Sequence, residues 1–90
     1  MLKNLIKSHS FQNENWSIKF HENGVFHEIY PLKNYKRHGT GFIFFTTGIL
    51  SYILSYKNDK IHENLISLHS NYCVSVFSMY KDGKHLIDLL

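Results

Sequence analysis

Apolar and polar residues alternate along much of this chain. After Gly48, Ile49, Ser51, Ile53 and Ser55 occupy one set of positions, and Leu50, Tyr52, Leu54 and Tyr56 the other. A period of two places successive side chains on opposite faces of a strand. The same reading predicts strands over residues 16–20, 25–30, 41–46, 49–56, 61–69, 72–80 and 84–89. Between them fall Asn23-Gly24, His38-Gly39, Thr47-Gly48, Asn58-Asp59, Ser70-Asn71 and Asp82-Gly83. Gly, Asn and Asp tolerate the positive φ angles of tight turns, so successive strands are expected to pair as antiparallel hairpins. The expected fold class is all-β, a single-layer antiparallel meander within one domain spanning residues 1–90. An N-terminal segment, 1–15, is expected to carry a short helix or a loose first strand over 2–10, with Leu2, Leu5 and Ile6 as its apolar edge.

The turns recur. Gly24, Gly48 and Asn71 are 24 and 23 residues apart, and each precedes a strand that ends near a tyrosine. Tyr35-Lys36, Tyr56-Lys57 and Tyr80-Lys81 are spaced by 21 and 24, and each opens a turn. A fixed period marks stacked supersecondary units, here β-hairpins, which are marginal alone and need neighbours. The phrases Phe-His-Glu-Asn-Gly24-Val, Tyr35-Lys-Arg-His-Gly-Thr-Gly41, Phe-Phe-Thr-Thr-Gly48-Ile-Leu and Tyr80-Lys-Asp-Gly-Lys84 resemble MORN repeats, in particular the variant found in bacterial antitoxin-type proteins. The resemblance covers residues 16–88 with about three units. Within it, Asn58-Asp59 lacks a glycine, Asn71 stands where a glycine is expected, and Pro31-Leu-Lys-Asn34 reads as an insertion. The resemblance implies an elongated, twisted meander with a binding role and no chemistry of its own.

Composition narrows the function. The single cysteine, Cys73, forms no internal disulfide, and the N-terminus lacks an apolar signal-peptide core, so a cytoplasmic location is expected. The stretch between Arg37 and Lys57 is free of Lys, Arg, Asp and Glu and nearly long enough to span a bilayer. Its glycines, threonines and serines, and its alternation, favour strands over a transmembrane helix, and no membrane partner is expected. Seven histidines are scattered without the spacing of a metal site. His27-Glu28 and His62-Glu63 point to opposite faces of a strand unless a bulge intervenes. No phosphate-binding loop or nucleophile motif appears. Neither an enzyme nor a cofactor or metal is expected.

Two surfaces remain. Tyr52, Tyr56, Tyr72 and Tyr80 form a candidate protein-binding face, since tyrosine buries apolar area while its hydroxyl still finds a partner. The net charge of +3 falls in the first half of the chain, densest at Lys33-Asn-Tyr-Lys-Arg-His38. With Tyr30, the residues Lys33, Tyr35, Lys36, Arg37 and His38 combine stacking rings and cations, as single-strand nucleic-acid binders do. The leading expectation is a protein that binds another protein stoichiometrically and inhibits it: an antitoxin or immunity protein acting on a toxin, or a mobile-element inhibitor of a defence nuclease or effector complex, such as an anti-CRISPR. The alternative is RNA or single-stranded nucleic-acid binding through residues 30–38. Open edge strands also invite self-association.

Overall fold

The structure, a computed structural model, describes residues 10–90; apart from Ser10, the segment 2–10 lies outside the described residues. Nine strands follow in chain order: β1 (Ser10–Gln12), β2 (Trp16–Phe20), β3 (Phe26–Lys33), β4 (Lys36–Arg37), β5 (Gly39–Phe44), β6 (Leu50–Lys57), β7 (Lys60–Leu68), β8 (Val74–Lys81) and β9 (Lys84–Asp88). They make one antiparallel sheet in the order β1-β2-β3-β5-β6-β7-β8-β9, with β4 paired to β3. Extents of 46 × 35 × 14 Å describe a sheet one layer thick. The fold is therefore an all-β, antiparallel meander of hairpins. The uncharged stretch after Arg37 forms β5 and β6, and among the described residues no helix is long and apolar enough to cross a membrane.

The sequence does not predict β1 or β4, and β3 runs three residues past its predicted end, through Pro31. Proline lacks an N–H, so strands hold it only at an edge or an irregularity. Pro31 lies at one: the ladder breaks between β4 and β5, where the His38 N–H donates to the Pro31 carbonyl at 3.0 Å. Residues 31–34 are thus strand and turn, not an insertion.

The repeat is more regular than the sequence suggests. Positive φ occurs at Gly24 (87°), Gly48 (91°) and Tyr72 (69°), spaced by 24. Each of these N–H groups donates to the carbonyl three residues earlier, on His21, Phe45 and His69, at 2.8–2.9 Å. Tyr72, not Asn71, occupies the glycine position. Asn71 instead does what Asn23 does, its Oδ1 accepting from the N–H two residues on. The other turns, Asn34-Tyr35, Asn58-Asp59 and Asp82-Gly83, have positive φ at both central residues, the geometry of type I′ hairpins. They too are 24 apart, so Asn34, Asn58 and Asp82 correspond, in place of the tyrosine anchors spaced by 21 and 24. Successive tips are tied by Asp59 N–H to the Arg37 carbonyl (2.9 Å) and Gly83 N–H to the Ile61 carbonyl (2.8 Å).

One bulge residue follows each of the first set of turns: His27, Ser51 and Ser75 are extra against the partner strand. A bulge resets the alternation, and the register then sorts side chains between two faces. One face, here the phenylalanine face, carries a row that crosses seven strands: Phe11, Ile18, Ile29, Phe42, Ile53, Ile66 and Phe77. A second row on that face holds Phe20, Phe26, Phe44, Leu50, Leu68 and Val74, with ring centroids 5.2 Å apart for Phe20–Phe26 and 6.3 Å for Phe26–Phe44. The third begins at Trp16 and Pro31, passes Thr40, Ser55 and Asn64, and ends at Met79 and Ile87. None of the three rows contains a charged residue.

The opposite, tyrosine face holds the small core: Tyr30, Leu54 and Tyr56, flanked by Ile43, Ile61 and Leu65. Tyr30 lies over Gly41, where a Cβ would sit within 2.9 Å of its Cε1 and closer still to Cδ1. Only a residue without a side chain allows that approach. At the far edge, β9 is exposed throughout but anchored to β8 by the Ser78 hydroxyl, which donates to Asp88 Oδ1 at 2.6 Å. The His85 ring nitrogen Nε2 lies 2.7 Å from the same oxygen. These two contacts, the Ser78 hydroxyl first, hold the Asp88 carboxyl below the usual carboxylate range.

Candidate functional site

Arg37 replaces the pattern of its repeat: the corresponding positions are Ile61 and His85, and here a cation enters the tyrosine face. Its guanidinium carbon lies 4.5 Å from the Tyr56 ring centre and 5.3 Å from that of Tyr30. Those two rings meet edge to face at 5.1 Å. Nε donates to Asp59 Oδ1 at 3.1 Å, Nη2 to the Asp59 carbonyl at 3.2 Å and Nη1 to the Tyr56 hydroxyl at 3.4 Å. The Arg37 backbone N–H adds a 2.7 Å bond to the same Oδ1. Arg37 therefore spends its donors inside the fold, clamping the Asn58-Asp59 tip to β4 and capping the core.

Two titrations follow. Burial first, then the Tyr56 hydroxyl and Glu28, push the Tyr30 phenol well above its ordinary value. The backbone and side-chain bonds from Arg37 hold the Asp59 carboxyl below the usual range. A depressed carboxylate stabilises the fold above its unfolded pKa of about 3.9 and loses that contribution as pH falls through the folded value. Between pH 5 and 2 the melting temperature of the parent protein is expected to fall more steeply than that of Asp59→Asn, as read by circular dichroism. Parallel curves would show that the clamp carries no linkage.

Three of the four tyrosines proposed for protein binding share one face. Tyr52 is 36% exposed, opposite Ile43 and Ser67. Tyr80 is half-buried, its ring edge-on to His85 at 5.3 Å. Tyr56 belongs to the core and supports the face from beneath. Tyr72 stands at a hairpin turn, 62% exposed. The other exposed turn tyrosine, Tyr35, is 67% exposed at the opposite end of the sheet, with φ of 64°.

The basic-aromatic segment divides. Tyr30 is buried and Arg37 is half-buried with its donors turned to Asp59 and Tyr56, whereas Lys33, Tyr35 and Lys36 are exposed at a tip. His38 is half-buried, and its Nδ1 has no hydrogen-bond partner. Sequence reasoning missed that the lysines repeat as well. Lys33–Lys36, Lys57–Lys60 and Lys81–Lys84 are cross-strand pairs flanking the three type I′ turns. All six are exposed along one end of the sheet, with tips two strands, or about 10 Å, apart. The signal was legible as Lys-Asn/Asp-x-Lys every 24 residues.

His27 meets the exception allowed for a bulge: as a bulge residue it reaches its neighbour, with Nε2 3.7 Å from Glu28 Oε2. It stacks on His21 at 4.2 Å, and His21 Nε2 bonds the Phe44 carbonyl at 2.8 Å. These contacts tie neighbouring turns together. Among the described residues no group of three His, Cys, Asp or Glu side chains is placed to hold a metal. Comparison with known proteins finds no matching family model, no matching curated protein and no matching solved structure.

Proposed function

We propose that this chain is a binding module that engages another protein stoichiometrically, through the turn at Tyr72 and the adjoining tyrosine face. The observation that carries this reading is Tyr72 itself. A bulky ring sits at φ 69°, where the two preceding repeats have glycine, and it is largely exposed. A left-handed conformation costs a side-chain-bearing residue about 1–2 kcal/mol, and the exposed ring recovers little of that within the fold. Strain of this kind, kept at an exposed position, points to use by a partner. Tyr52, on the adjoining tyrosine face and 36% exposed, adds a second ring. The resemblance to antitoxin-type hairpin repeats supports inhibition of a toxin or nuclease as the consequence of binding.

The test is capture of a partner from the source cell with immobilised parent protein, Tyr72→Gly and Tyr52→Ala, followed by stoichiometry on the purified complex. One dominant protein, bound by the parent and released by both variants, is the expected result. Equal retention by all three proteins would sink the tyrosine surface.

A second reading, direct binding of RNA or single-stranded DNA, is favoured by the row of six lysines. Because Arg37 is committed to the core, the discriminating variants are at lysine. If phosphates seat on this row, oligonucleotide affinity falls log-linearly with salt, with a slope of about 0.7 per phosphate neutralised on a single strand. The pair Lys36→Glu and Lys57→Glu is then expected to flatten that slope in fluorescence anisotropy. Binding that ignores both salt and substitution rejects the nucleic-acid reading.

A further inference from the structure

We infer that the phenylalanine face is covered by a second copy of this chain, giving a face-to-face dimer with an apolar interior between two sheets. This goes beyond the partner-binding reading, which uses the opposite face and the Tyr72 turn, so the two stand or fall separately.

Three observations carry it. First, the monomer buries very little: Tyr30, Leu54 and Tyr56 are the only buried apolar side chains among the described residues, and all three lie on the tyrosine face. On the phenylalanine face the rows are left half-open, with Phe11 at 53%, Phe26 at 45% and Ile87 at 54% exposure. Contiguous apolar surface on this scale marks an interface.

Second, the area suffices. Three rows about 7 Å apart, crossing seven strands about 4.8 Å apart, cover roughly 600–700 Å² per copy in plan. Two such faces reach the range of about 1,200–2,000 Å² in total that stable complexes bury.

Third, the chemistry is self-complementary. The three rows hold no charge, so pairing with an identical face strands no ion, and their polar members, Thr40, Ser55 and Asn64, are confined to the third row. A foreign partner recognised by charge would find nothing to read there. Stacked sheets pack about 10 Å apart with interdigitated apolar faces, which a two-fold axis between the copies achieves by laying the central row of each on that of the other. The lysine pairs beside the third row select the orientation: the axis runs along the rows, so that the two lysine margins fall at opposite ends of the dimer.

Sedimentation equilibrium tests this on the full chain. The expected mass is twice the chain mass of 10.7 kDa. Phe26→Glu and, independently, Val74→Glu place a charge in the second row and are expected to weaken dimerisation by about a hundredfold or more. Val76→Glu, on the opposite face and 41% exposed, is expected to leave the dimer intact. Far-UV circular dichroism confirms that each variant keeps its strands; two row variants guard against one that unfolds. The inference is overturned if the parent protein remains monomeric at about 100 µM, which corresponds to a very weak association. It is equally overturned if Val76→Glu dissociates the dimer as readily as the row variants.

Discussion

Gly41→Ala is expected to lower the urea midpoint sharply, by about 2–3 kcal/mol of stability, because the added methyl enters the Tyr30 ring. Overpacking in a fitted core costs about 1–3 kcal/mol when the neighbours relax. Here relaxation is blocked on three sides. Tyr30 is held edge to face against Tyr56, Arg37 lies over both rings, and the Ile29 carbonyl would also approach the new Cβ at 3.2 Å. The usual gain from replacing glycine, about 0.4–1 kcal/mol through the unfolded chain, is too small to compensate. Since the local core consists of three buried apolar residues and a few partners, the loss removes a large part of the stability of a small domain. Gly41→Ala in a Tyr30→Leu background gives the diagnostic comparison: with the ring gone, the methyl has space, and the second substitution should cost far less than the first. An unaltered midpoint for Gly41→Ala alone would show that the ring does not rest on the backbone there.

Most strands and turns were legible because alternation and the Asn, Asp and Gly pairs act locally; His38-Gly39 is the exception, lying at the break between β4 and β5 while the turn itself falls at Asn34-Tyr35. The period was legible only approximately. Asn71 looked like the glycine substitute because asparagine tolerates positive φ, whereas tyrosine in that conformation runs against local preference; only the backbone shows that Tyr72 holds the place. Pro31-Leu-Lys-Asn34 read as an insertion against the repeat, and the break at His38 that accommodates a proline in β3 belongs to the neighbouring strand. Face assignment was the least legible feature. A bulge residue after each turn of the first set, at His27, Ser51 and Ser75, shifts the alternation, so the phenylalanine rows cross positions that a strict period of two would split between faces. The commitment of Arg37 to Asp59 and two tyrosine rings depends on contacts across 19 to 22 residues of sequence, which spacing alone does not reveal.

Tyr72→Gly is expected to move stability and partner capture in opposite directions. Glycine adopts φ near 69° without the clash between Cβ and the following carbonyl, relieving about 1–2 kcal/mol. Its greater freedom in the unfolded chain returns part of that, about 0.5–1 kcal/mol. The exposed ring contributes little burial, and the Tyr72 N–H keeps its bond to the His69 carbonyl, as Gly24 and Gly48 keep theirs to His21 and Phe45. A net gain of about 1 kcal/mol raises the melting temperature of a domain this size by about 4–8 °C. If Tyr72 anchors a partner, truncating it removes an interface hot spot, worth about 2 kcal/mol or more, or at least thirtyfold in affinity. Tyr72→Phe separates the contributions, since it retains the strain and the ring while deleting the hydroxyl. A higher melting temperature with partner affinity unchanged would make the ring an ornament of the turn, and the binding surface would then have to be sought elsewhere on the sheet. A lower melting temperature would mean that the tyrosine stabilises its own turn, and strain there would no longer point to a partner.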